Sequence, residues 1–205
     1  MRFLRHVIQT IRANRSAYLV LNAIVYGPVL VGFGVGLLFP SLAAAQVESM
    51  KSSGTGDLVQ SLLENPWLFA LAILANNALR AGLLILVLPS MIVPFAGIPW
   101  FAYSQYTVGV TLAPANEAAW LALIPHSLTI LIEFQAFVLL ALGAYLLGRA
   151  WIRPRTVDAV NRRQGYVRGL RQLGRLSLPA LALLVVGAIH ESFSLIYLVP
   201  LLTEG

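Results

Sequence analysis

The sequence predicts an all-α membrane protein, a polytopic bundle of about five transmembrane helices preceded by an amphipathic interfacial helix at the amino terminus. Three observations lead there. Of the 205 residues, 59% are hydrophobic and only 11% charged, whereas a soluble domain carries roughly a quarter of its residues charged. Apolar runs recur at the ~20 residues a helix needs to cross the hydrocarbon core, and none shows the ~10-residue alternation of a barrel strand. The length fits one membrane domain over residues 1–205 and leaves no room for a separate soluble catalytic domain. Cysteine is absent, which removes disulfides, thiolate nucleophiles and thiolate metal sites.

The elements follow in chain order. In residues 1–15, Phe3, Leu4, Val7, Ile8 and Ile11 recur at helical spacing with Arg2, Arg5 and Arg12 largely on other faces, the pattern of a helix lying in the membrane interface. A first span runs over about 17–39. Its exit FPSLAAAQV imitates a signal-peptidase site, but the apolar run exceeds the usual 7 to 15 residues, so an uncleaved anchor is expected. Gly32 and Gly36 form a small-xxx-small pair that lets another helix approach closely, and they are expected to serve as a contact surface for a partner. Residues 41–66 carry Glu48, Asp57 and Glu64 against Lys51 and read as an external loop with short helices broken at SSGTG. The apolar stretch from Trp67 to Ala113 holds LPSMIVPFAGIP and suits two spans, 67–88 and 92–113, joined by a tight turn. Pro89, Pro94 and Pro99 also allow a re-entrant segment there. A fourth span covers 120–149 and a fifth 177–199.

Between those last spans, residues 149–175 contain eight arginines and a single acid. Val157, Val160, Val167 and Leu170 or Leu173 keep an approximate apolar face, so the connector 149–176 is expected to lie on an anionic leaflet. Its contacts to lipid headgroups or a partner would come from Arg153, Arg155, Arg162, Arg163, Arg168 and Arg171. Another four arginines fall in the first 15 residues, while 41–66, 114–119 and 200–205 have almost none. Five spans put both basic segments on one side, and the positive-inside rule makes that side the cytoplasm, with the carboxy terminus outside. The net charge of +6 is thereby accounted for by topology. No aromatic interleaving or binding motif points to nucleic acid.

Arg80, Glu133 and Glu191 fall inside spans, where an unpaired charge costs at least ~2.5 to 3.5 kcal/mol. Arg80 lies 13 residues after Trp67 and Glu133 lies 13 after Trp120, so both sit about 20 Å down helices that enter from the same face. A pair of Arg80 with Glu133 or Glu191 is geometrically allowed, with Asn76 and Asn77 finishing the guanidinium's hydrogen bonds. His126 and His190 belong to different spans and meet only if the outer ends of those spans converge. The set Asn76, Asn77, Arg80, His126, Glu133, His190 and Glu191 reads either as a buried cluster that fixes helix packing or as a polar path for an ion, a proton or a headgroup. His126 and Glu133 are about 10 Å apart along a helix axis, too far to share one metal. No HExxH, GxSxG or Gly-rich phosphate loop is present. The expectation is a protein without catalytic activity, cofactor or metal.

Several of these stretches together resemble the stage II sporulation protein M family of polytopic membrane proteins. They are NNALRA at 76–81, the Gly-containing span ending near Gly109, IPHS at 124–127, GAIHESF at 187–193, and the basic connector before the last span. The likeness covers roughly residues 15–200. It departs from the family pattern at Ser127, which stands for a glycine, and at Ile130, which takes an acidic position, with Glu133 one turn later as a displaced counterpart. Gln105 and Tyr106 replace an Asn-Gly pair. Asn76, Asn77, His126 and Glu191 are the polar residues carried over. The resemblance implies an integral membrane fold and an assembly role, in which the protein holds cell-wall-degrading partners and is not itself the hydrolase. A non-catalytic subunit or scaffold in the inner membrane, bound to other membrane proteins or to itself, is the function expected. A transporter or permease component using Arg80, Glu133, His126 and Glu191 is the alternative.

Overall fold

A computed structural model describes residues 2–52 and 61–203, and among these every regular element is helical. Seven helices follow one another: α1 (Arg2–Ala13), α2 (Arg15–Leu38), α3 (Pro40–Ser52), α4 (Pro66–Ile92), α5 (Gly97–Leu112), α6 (Glu117–Ile152) and α7 (Arg162–Thr203). Most of the SSGTG break and Asp57 lie outside the described residues. Asparagines start three of the long helices by accepting from orphan amides of the first turn. Asn65 Oδ1 takes the N–H groups of Trp67 and Leu68, Asn116 Oδ1 that of Ala119, and Asn161 Oδ1 that of Gln164.

Helices α2, α4, α6 and α7 are long and apolar enough to cross a membrane. The centre is α6, 72% of whose most apolar stretch is covered by protein, against 17–28% in the other three. Contacts along α6 give each neighbour's direction. Phe33 meets Trp120 and Tyr18 meets Gln135, so α2 runs antiparallel to α6. Asn77 meets Glu133 and Gly82 faces Leu140, so α4 runs parallel to it. Gly165 abuts Ala150, Gly169 abuts Leu147 and Gly187 abuts Glu133, so α7 is antiparallel again. Helix α5 lies parallel to α2, with Gly32 against Tyr106 and Gly36 against Val110 and Ala113. The five long elements thus alternate in direction along the chain.

The expected third span, 92–113, is realised as the 16-residue helix α5, about 24 Å long and just under the usual crossing length. Local chemistry takes away its first turn. Val93 precedes Pro94 and is extended, as the proline ring demands, and Phe95 has φ 69°. Gly97 then passes so close to the carbonyl of Leu86 that no side chain fits, and its N–H is accepted by Ser90 Oγ, which donates to Leu86. The ring of Phe95 fills the space left open by Gly148 and lies beside Tyr145.

Two expectations need correction. Gly32 and Gly36, read as a surface for a partner, are buried against the chain's own α5. The basic connector is not a separate helix on the leaflet, because residues from Arg162 onward are the first half of one continuous helix. Its buried face is Gly165, Gly169, Leu173 and Leu176, stacked on α6, whereas Val160 and Val167 are exposed. With 36 and 42 residues, α6 and α7 are about 54 and 63 Å long and extend well past a ~30 Å hydrocarbon core. Arg153, Arg155, Arg162, Arg163, Arg168 and Arg171 are exposed on that extension. Val7 of α1 is buried and His6 Nε2 lies 3.2 Å from Arg175 Nη1, which brings the two basic segments to one end of the bundle.

Candidate intramembrane polar site

A polar cluster occupies the seam between α4, α6 and α7 at the end opposite the arginines. Gly187 and Ala188 on the buried face of α7 bring it hard against α6, and the polar side chains interleave from Glu133, at the middle of α6, back to His126 in its first half. Glu133 is 8% exposed. Its Oε1 accepts a hydrogen bond of 2.7 Å from Asn77 Nδ2 on α4, and Asn76 Nδ2 donates at 3.2 Å to Asn77 Oδ1. Gly187 on α7 makes the room, since a Cβ there would lie 2.5 Å from Glu133 Cγ. One turn further, His126 Nδ1 is 3.6 Å from Glu191 Oε1, an ion pair whenever the imidazole is protonated. Thr129 Oγ1 is 2.8 Å from His190 Nδ1. The Ser192 hydroxyl donates at 2.6 Å to the carbonyl of Pro66, and Trp67 packs edge-on against Phe193, which ties the start of α4 to α7.

The cluster coincides with two departures from α-helical geometry. Helix α4 is π-helical over Asn76–Val87 and α7 over Ser194–Leu198. Such i→i+5 segments are rare and concentrate at functional sites. Here the wide turn beginning at Asn76 aims Asn77 at Glu133 while Asn76 and Arg80 face outward.

Of the residues expected to come together, Asn77, Glu133, His126, Glu191, Thr129's partner His190 and, through Asn77, Asn76 do so. Arg80 does not. It is exposed on the outer face of α4 and makes no ion pair among the described residues. The carboxylates that were expected to match it are matched instead by an amide and an imidazole. His126 and His190 do reach the same seam, because the ends of α6 and α7 converge.

A second network joins α2 to α6 and has no counterpart in the sequence-based expectations. The Tyr18 hydroxyl donates at 2.7 Å to Gln135 Oε1, and Gln135 Nε2 donates to Asn22 Oδ1 and Tyr26 Oη at 3.0 and 2.9 Å. Tyr26 donates onward to the carbonyl of Leu131. The signal was available as Tyr18, Asn22 and Tyr26 at i, i+4, i+8, a polar stripe on an otherwise apolar span. Replacing Gln135 by Leu strands two hydroxyls and an amide at once. A loss of about 1–2 kcal/mol is expected on unfolding in mixed micelles, and Gln135→Glu is expected to recover less than half of it because the donor to Asn22 and Tyr26 is gone.

The model of the stage II sporulation protein M family matches residues 23–194. The chain belongs to that family. The match runs from within α2 through the end of the α-helical part of α7; it takes in the Glu133 cluster and the α2–α5 glycine seam, and of the second network Tyr26 and Gln135 but not Tyr18 and Asn22. Membership and the four long apolar helices make this a membrane protein of the stage II sporulation protein M family. No curated protein and no solved structure matches the chain significantly.

Proposed function

We propose that this stage II sporulation protein M family member is a non-catalytic membrane subunit that holds other membrane proteins in an assembly. The observation that carries the reading is the pairing of the polar side chains in the α4–α6–α7 seam and between α2 and α6, although Gln105 Oε1 and Ser194 Oγ are buried without a partner among the described residues. Glu133 has Asn77, Glu191 has His126, His190 has Thr129, and Gln135 has its three partners on α2. Groups matched in this way fix helix positions and offer no open file of polar side chains from one face to the other. The hydroxyls of Ser127 and Ser192 donate to backbone carbonyls, which leaves neither beside a base that would activate it. Two cavities, of about 440 and 430 Å³, lie away from the cluster, one by Leu37, Val47, Glu48 and Ala113 and one by Asp158, Arg168 and Arg175.

In this reading the membrane is the inner, cytoplasmic one. The meeting of His6 with Arg175 supports putting the arginine-rich end in the cytoplasm, with the last residues of α7 outside. The exposed arginines on the α6–α7 extension then stand next to anionic headgroups. The assembly and transport readings separate on two conservative variants. Glu133→Gln and Glu191→Gln are expected to leave the mass of the assembly in native gels unchanged. In vesicles of the purified chain, proton or monovalent-cation flux should stay within twofold of empty vesicles for wild type and both variants. A flux carried by the wild type and abolished by either variant would establish the transport reading instead.

A further inference from the structure

The outer face of α4 carries a charge that the chain itself does not answer. Leu68, Leu71, Leu79, Leu84 and Ile92 are exposed along it, and among them stand Asn76 and Arg80, also exposed. Arg80 is 14 positions from Pro66 and 12 from Ile92 in this helix, so it lies about 18–21 Å from either end. An arginine side chain reaches headgroups only from near the end of a span, and this one is at the middle. A second copy of the chain has no acid to offer at that depth. Of the carboxylates in the described spans, Glu117 is the first residue of α6, far from that depth, and Glu133 and Glu191 face inward with partners of their own.

We propose that this face of α4 seats a transmembrane helix of a different protein, one bearing an aspartate or glutamate at the depth of Arg80. The carboxylate closes a bidentate pair with the guanidinium, Asn76 lies one turn away to hydrogen-bond the same helix, and the leucines supply the packing on either side. The inference rests on the assembly reading above and gives that assembly a contact face.

The test places a photoreactive side chain at Leu79 or Leu84 in the full-length chain, in the membrane where it is naturally made, and sequences the crosslinked peptide. The expected product is an apolar helix of another protein with an acid within one turn of the attachment point. Its yield should fall at least tenfold with Arg80→Leu and with Arg80→Gln, stay within threefold with Arg80→Lys, and return when Arg80→Glu is combined with a basic residue at the partner's acid. Crosslinks to lipid only, to a second copy of this chain, or to a helix without an acid would overturn the proposal, as would a yield indifferent to Arg80→Leu and Arg80→Gln. Native gels of the same samples separate the two levels. A heavy species without the α4 crosslink leaves the assembly reading standing and removes this face from it, while a lone chain removes both.

Discussion

Replacing Gly109 by leucine is expected to drive α5 off α2 and to cost the fold about 3 kcal/mol or more, the upper range for overpacking. The two helices touch through backbone. A side chain at Gly109 would run into the carbonyl of Val29 and come within 2.9 Å of the amide of Phe33, and one at Gly36 would come within 2.7 Å of the carbonyl of Val110. Gly32 is equally closed off by the carbonyl of Tyr106. None of these neighbours is the movable end of a side chain, so the helices themselves must part. Helix α5 is otherwise held by Phe101, buried against Phe137 of α6, and by the Gly97 turn against Leu86 and Ser90. Gly34 and Gly27 supply the control, because a Cβ at either meets nothing within 4 Å. Gly34→Ala should therefore change stability by less than about 0.5 kcal/mol, although it sits between two positions where alanine is not tolerated. Unfolding in mixed micelles, followed by tryptophan fluorescence, measures Gly109→Leu together with Gly32→Ala and Gly34→Ala, and equal costs at Gly32 and Gly34 would refute the parallel α2–α5 seam.

The second large effect is a reversal. Asn77→Leu leaves the buried carboxyl of Glu133 with no donor and is expected to cost about 2–3 kcal/mol, since a stranded buried polar group loses its full desolvation energy. Glu133→Leu alone strands an amide that can turn partly outward and should cost about 1–2 kcal/mol. Removing both should cost less than Asn77→Leu alone, because no polar group then remains in the seam and leucine suits the surrounding apolar side chains. A double-mutant cycle under the same unfolding conditions tests this, and simple additivity would show that the 2.7 Å contact is not what holds α4 to α6.

The fold class was legible because it rests on composition and run length, which bilayer thickness converts directly into helices. The same holds for the level at which Glu133 meets α4, set by counting residues from Trp67 and Trp120. Its partner was not legible. Counting on an α-helix puts Asn77 and Arg80 nearly on one face, and the π-helical turn from Asn76 separates them; nothing in the residue types NNALRA announces that turn. A similar limit applies to Gly32 and Gly36, whose spacing indicates close approach and not which helix approaches. On the arginine-rich segment, glycines at 165 and 169 form the contact face, and the valines that marked an apolar stripe point outward. Hydrophobicity located that face only in part, since Leu170 and Leu173 pack inward while Val160 and Val167 do not, and backbone proximity at the glycines sets the rest. The break at Val93 to Gly97 was legible in kind from its prolines, but the lost turn of α5 depends on the passage of Gly97 over Leu86, a contact between segments.

The central claim is that the chain works as a subunit among other membrane proteins, and its mass in mild detergent tests that most directly. Purified from its own membrane and weighed by native mass spectrometry, the 22.2 kDa chain is expected in a discrete species that also contains at least one different membrane protein in fixed ratio. Recovery only as the lone chain or as whole multiples of 22.2 kDa, from cells in which it is functional, would contradict the account.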